Sequence, residues 1–145
     1  VAIDIDIRKH NLELIKSHPM YKRISMYEGN SIDPIIIDKV KKHVEGKKCV
    51  MVILDSLHTH EHVYKELKAY AALVTVGSYC ILSDTLIEFF PKGHYIRNRP
   101  WDVGNNPYTA MVQYLKETNL FEIDKSLTNK AMITEAIDGY LKRIS

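Results

Sequence analysis

The stretch Cys49-Val50-Met51-Val52-Ile53-Leu54-Asp55-Ser56-Leu57-His58-Thr59-His60-Glu61-His62-Val63 decides the fold. Its first six residues are uniformly apolar and short, which predicts a strand covered on both faces. An acid and a serine end that strand. From Thr59 to Ala72 the residues Val63, Leu67, Tyr70 and Ala71, with Val74 just beyond, recur at helical spacing and predict a buried inner face. Glu61 and Lys65 stand one turn apart on the outer side, an expected i,i+4 ion pair. Strand, polar strand end and helix together make half of a βαβ unit.

The same rhythm extends in both directions. Upstream, Val1 to Asp6 reads as a strand ending in two acids, and His10 to Ser17 as a helix with Leu12 and Ile15 on one side, stopped by His18-Pro19. Arg23 to Glu28 alternates like a strand, and Gly29-Asn30-Ser31 turns the chain. Asp33 is a helix N-cap with Pro34 at the first helical position. Ile36, Ile37, Val40 and Val44 then share a face, and Gly46 closes the helix. Downstream, Gly77 ends a unit and Tyr79 to Leu82 is another buried-type strand. Asn106-Pro107 opens a helix to about Glu117, with Ala110, Met111, Tyr114 and Leu115 inward. Lys130 to Ile144 resembles a hairpin around Ile137-Asp138-Gly139. Repeated strand–helix units require right-handed crossovers, so the expected class is α/β with a mostly parallel, doubly wound sheet and a C-terminal antiparallel hairpin.

Composition narrows the function classes. The 145 residues are 46% hydrophobic and 26% charged, enough for one domain over 1–145 with a sizeable core. Twenty basic residues against eighteen acidic ones leave a net charge of +2 without a basic stripe, so no nucleic-acid partner is expected. The longest apolar run, Cys49 to Leu54, is far below a membrane span. Asp4, Asp6 and Arg8 at the start argue against a secretory leader. Cys49 and Cys80 sit in apolar runs and read as buried thiols of a reducing, cytoplasmic compartment.

In a doubly wound sheet, ligands bind outside the carboxyl ends of the strands. Those ends are polar here: Asp4 and Asp6, then Glu28-Gly29-Asn30-Ser31, then Asp55-Ser56, then Ser83-Asp84. Each acid alone reads as a helix cap. An acid after an early strand also suits the paired hydroxyls of a ribose, and small polar residues after the next strand leave room for a flat base. A nucleoside-containing cofactor is the expectation. Asp55 and Asp84 follow consecutive strands and would either hold Mg²⁺ or cap two helices independently. His58 and His62 are four apart, a ligand spacing, but His60-Glu61 is not followed by the second histidine of an H-E-x-x-H site. His58, three residues past Asp55, is placed in the first helical turn as a candidate general base, or else as a cap. Phe89 to Asn105, broken by Pro91, Gly93, Pro100 and Gly104 and holding the single Trp101, reads as a lid or substrate loop, or as a surface connection.

These segments carry a family resemblance. D-I-D-I-R at Asp4–Arg8, E-G-N-S-I-D at Glu28–Asp33, L-D-S-L-H-T-H-E-H-V at Leu54–Val63, G-S-Y-C at Gly77–Cys80, R-P-W-D-V-G-N-N-P at Arg99–Pro107 and D-G-Y-L-K-R at Asp138–Arg143 form one series. Together they resemble the cephalosporin hydroxylase / rhamnosyl O-methyltransferase family of class I S-adenosylmethionine-dependent methyltransferases. The resemblance implies a Rossmann-like methyltransferase fold whose last strand is antiparallel, with S-adenosylmethionine as cofactor. It implies that Asp4, with Asp6, binds the ribose and that Gly29, Asn30 and Ser31 edge the adenine. Asp55 and Ser56 would meet the cofactor, Asp55 and Asp84 a Mg²⁺ ion, and His58 with Asp55 the chemistry. Trp101 and Asn105 would belong to the substrate loop. The implied acceptor is a hydroxyl of a sugar, a glycolipid or a small secondary metabolite, and a homo-oligomer is compatible with it. The strand and glycine-rich loop that open this superfamily's fold have no counterpart in the chain, so a longer polypeptide is expected. Two other readings stay open: a non-haem iron hydroxylase using His58, His62 and a carboxylate, and a non-catalytic fragment that binds a partner.

Overall fold

The computed structural model describes residues 1–94 and 98–145. Residues 95–97, part of the Phe89 to Asn105 insertion, lie outside the described residues. The fold is mixed α/β, in two compact units, Val1–Glu45 and Gly46–Ser145.

In the first unit, β1 (Ala2–Asp4) and β2 (Met26–Glu28) pair in parallel, with Ile3 opposite Tyr27. Helix α1 (Lys9–Ser17) and a 3₁₀ turn at Tyr21–Arg23 connect them. That turn makes β2 shorter than the alternation from Arg23 predicts. Asp33 caps α2 (Pro34–Val44) as expected, accepting the Ile35 N–H at 2.7 Å, with Pro34 at the first position. Ile36 and Val40 of the predicted face are buried, and Ile37 and Val44 half-buried.

The second unit holds a four-stranded sheet in the order β3-β4-β6-β5, formed by β3 (Val52–Leu54), β4 (Tyr79–Leu82), β5 (Phe121–Ile123) and β6 (Tyr140–Arg143). Helices α3 (His60–Tyr70) and α4 (Pro107–Lys116) pack beside it, and α5 (Lys125–Ala131) precedes β6. The predicted inner face of α3 is correct in full: Val63, Leu67, Tyr70, Ala71 and Val74 are all buried, with Glu61–Lys65 paired outside at 2.7 Å. Asn106 caps α4 in a reciprocal box with Thr109, and Ala110, Met111 and Tyr114 point inward. No helix of the described residues is long and apolar enough to cross a membrane.

The sheet of this unit is mixed: β3 and β4 pair in parallel, and the last strand, β6, runs antiparallel to both β4 and β5, the orientation the resemblance implies for a last strand. Two other expectations are corrected. The residues from Lys130 do not form a local hairpin. Asp124 caps α5 by accepting the Ser126 N–H, and β6 instead slots between β5, the strand before α5, and β4, which is far away in sequence. Gly139 permits that insertion, since a Cβ there would collide with the Leu82 carbonyl oxygen. Finally, Cys49 to Leu54 is not covered on both faces. β3 is an edge strand, with Leu54 buried but Ile53 56% exposed, and Cys49 is exposed while Cys80 is buried as expected.

Candidate functional site

The parallel register of β3 and β4 sets Leu54 opposite Leu82, so the residues that follow leave the sheet side by side. The Ser83 N–H donates to the Leu54 carbonyl at 3.0 Å, carrying the ladder one step further. Asp84 then adopts φ 56°, ψ 22°, the left-handed region that aspartate tolerates better than most side chains. The next residue anchors this bend. Thr85 is fully buried, and its hydroxyl donates to the Ile137 carbonyl at 2.7 Å.

His58 meets Asp84 across that bend, Nε2 to Oδ2 at 3.2 Å. It does not lie in the first helical turn as the sequence suggested. Helix α3 starts at His60, and His58 sits in the loop before its Thr59 cap. One ligand atom each from Asp55, His58 and Asp84 falls within 4.8 Å of the others. The imidazole packs edge-on to the Trp101 indole, ring centroids 4.8 Å apart at 90°, and the Arg99 guanidinium lies 5.1 Å from the indole centroid. Two carboxylates and an imidazole at the mouth of adjacent strands suit a hard divalent cation or a carboxylate-oriented base.

The other two histidines of the cluster have separate partners. His60 reaches across to α4, with Nδ1 and Nε2 each 2.8 Å from Thr109 Oγ1 and Gln113 Oε1. His62 lies 3.5 Å from Glu66 Oε1 on its own helix. The i,i+4 pairing of His58 with His62 is therefore not formed, because His58 precedes the helix.

The described part of the insertion is pinned by polar groups. Glu88 accepts from the Gly104 N–H at 2.8 Å and from the Asn106 amide. Asp102 accepts from the Val103 and Gly93 N–H groups, and these bonds hold its carboxyl below the usual carboxylate range. Asn105 accepts the His60 N–H at 3.0 Å and donates to the Pro100 carbonyl at 2.8 Å, so it caps α3 from another segment. Trp101 thus stands on a built loop.

The nucleoside candidates lie in the first unit. Gly29 donates its N–H to the Asp4 carbonyl at 2.8 Å, which brings the ends of β1 and β2 together. Gly29 has φ +148°, and a Cβ would come within 3.0 Å of the Ile36 side chain. Asp4 Oδ1 accepts the Asp6 N–H at 3.0 Å, Asn30 Oδ1 accepts the Ile32 N–H at 3.1 Å, and Ser31 follows in the same turn. In the second unit, Ser56 Oγ donates to Glu66 Oε2 at 2.7 Å. Sequence reasoning missed Glu66, Arg99 and Glu88. For Glu66 the signal was present: it is a charged residue on the same stripe as Val63, Leu67 and Tyr70.

The chain matches the family described as Rhamnosyl O-methyltransferase/CmcI over residues 1–144. It is 33% identical over 120 residues to the rhamnosyl O-methyltransferases of Mycobacterium bovis BCG Pasteur and Mycobacterium tuberculosis H37Rv, covering 80% of this chain and 45% of each relative. To the rhamnosyl O-methyltransferase of Mycobacterium leprae it is 29% identical, covering 98% of this chain and 58% of that relative. The chain spans about half the length of these curated relatives. No solved structure gives a significant match.

Proposed function

The chain belongs to the Rhamnosyl O-methyltransferase/CmcI family, and from that premise we propose that it is an S-adenosylmethionine-dependent O-methyltransferase acting on a hydroxyl of a saccharide, foremost a rhamnosyl group. The observation that carries this reading is the convergence of Asp55, His58 and Asp84 within 4.8 Å beside Trp101. The antiparallel last strand of a β3-β4-β6-β5 sheet supports a Rossmann-like methyltransferase fold. The unpaired Cys49 and Cys80 suit a cytoplasmic setting.

The residues fit the groups this function requires. Each carboxylate oxygen of Asp4 has two acceptor positions, so the bond from Asp6 leaves room for ribose hydroxyls. Gly29, without a side chain, lets a flat ring approach the backbone, next to Asn30 and Ser31. Asp55 and Asp84 would hold Mg²⁺, which when bound lowers the pKa of an acceptor hydroxyl. S-adenosylmethionine supplies the electrophilic methyl group.

The chain's own part is orientation and proton transfer. Asp84 accepts from His58 Nε2, which fixes the ring and leaves Nδ1 to take the hydroxyl proton. Holding the acceptor hydroxyl against the cluster while His58 takes its proton would be the chain's main contribution to transfer of the methyl group. Trp101, fixed by its loop, offers an aromatic wall for the acceptor.

The test is transfer of labelled methyl from S-adenosylmethionine to a rhamnosyl acceptor, with and without Mg²⁺. His58→Gln should slow turnover by roughly 10²–10⁴-fold. Wild-type turnover in that variant sinks the assignment of His58.

A further inference from the structure

We propose that Glu66 is a positioning residue which fixes the Asp55–His58 loop through Ser56. The proposal rests on the reading of Asp55, His58 and Asp84 as the reactive cluster. Glu66 occupies a place where a leucine would pack. It lies on the inner stripe of α3 between Val63 and Tyr70, and its side chain is only 3% exposed. Its neighbours register the burial and the charge: the Tyr70 hydroxyl and the Cys80 thiol are both pushed up to about 12, mainly by burial and further by Glu66. A carboxylate in such surroundings is destabilising unless donors meet its oxygens.

Both oxygens are met, and by different segments. Oε2 accepts from Ser56 Oγ at 2.7 Å, and Oε1 faces His62 Nε2 at 3.5 Å. Ser56 directly follows Asp55 and stands two residues before His58, so anchoring its side chain anchors the backbone between those two groups. The far end of the loop is anchored independently, by the Asn105 carboxamide on the His60 N–H. His58 therefore sits on a short span fastened at both ends, at Ser56 and at His60, with Asp55 directly before the first fastener, which lies inside the core. An interior anchor of this kind holds a loop more rigidly than a surface bond, because the carboxylate itself cannot move without losing its packing. In this arrangement the Ser56 hydroxyl serves the protein interior.

The test uses the chain with Mn²⁺ as the probe ion. It compares Ser56→Ala, Ser56→Thr, Glu66→Gln and the Ser56→Ala/Glu66→Gln double variant. Mn²⁺ affinity is measured by electron paramagnetic resonance, kcat and KM by methyl transfer, and Tm by calorimetry. Ser56→Ala and Glu66→Gln should each weaken Mn²⁺ binding and lower kcat by roughly 10–100-fold, with KM for S-adenosylmethionine unchanged. Ser56→Thr should restore both. The double variant should be no worse than the poorer single one, since Ser56→Ala removes the tie that Glu66→Gln weakens by taking the charge from its acceptor. Unchanged Mn²⁺ affinity and kcat with a lowered Tm would make Glu66 a packing residue and overturn the proposal, as would additive losses in the double variant. Ser56→Ala keeps the test valid if Glu66→Gln does not fold. Asp84→Asn separates the two levels. If it turns over like the wild type, the reading of the cluster fails and this proposal with it. If it is crippled while the Ser56 and Glu66 variants are not, this proposal fails alone.

Discussion

Both units of the chain end parallel strands in acids, yet they hold those acids in different ways. In the first, Asp4 and Asn30 are organised by bonds to N–H groups two residues along, and Ile36 and Val40 are the buried apolar side chains. In the second, Asp84 sits on a left-handed bend backed by buried Thr85, and the Asp55–His58 loop is tied to buried Glu66. A core including Leu67, Leu82, Ile87, Met111 and Leu141 lies beneath. The same strand-end acid is thus locally shaped in one unit and fixed by the core in the other. That difference fits the division of labour proposed above. A nucleoside brings its own rigid rings and needs only hydrogen-bonding edges, whereas an in-line transfer needs groups held to a fraction of an ångström.

The comparison is tested most severely in the core. Leu67→Ala, at 0% exposure, should destabilise the second unit by about 2–5 kcal/mol, read by denaturant unfolding. Amides of α3 should exchange far more slowly than those of α1, which has no buried residue; comparable protection would erase the contrast. Gly29→Ala should next weaken S-adenosylhomocysteine binding by calorimetry, through backbone strain and the clash with Ile36, while leaving Mn²⁺ affinity intact. A loss of both would break the proposed separation of roles. Asn105→Ala should remove the cap on α3 and lower stability by about 1 kcal/mol, with a matching fall in Tm.

The smallest expected effect is a pH dependence. The N–H groups of Val103 and Gly93 hold Asp102 below its ordinary value. Its contribution is present above the ordinary carboxylate pKa and is lost only as pH falls through the lowered one. Exchange protection of the Gly93 and Val103 amides, the donors to Asp102, should therefore persist from neutral pH down to about 4 and be lost only in stronger acid. A transition centred at the ordinary carboxylate pKa would show that Asp102 does not organise the loop.

What the sequence determined by itself was what neighbours along the chain decide. Asp33-Pro34 and Asn106-Pro107 cap helices because a side chain reaches N–H groups two or three residues on. The inner face of α3 and the Glu61–Lys65 pair follow from a period of 3.6 residues. The acids at the ends of β1, β2, β3 and β4 were legible for the same reason, since a strand and its end are local. Only the tertiary structure decided what depends on segments far apart. It placed β6 between β4 and β5 instead of in a hairpin, and turned one face of β3 outward. It joined His58 to Asp84 rather than to His62, and made Asn105 the cap of α3. Glu66 shows the boundary most clearly. Its position on an apolar stripe was written in the sequence, but its purpose depends on which donor the fold brings to a buried charge, and that donor belongs to the loop that carries Asp55 and His58.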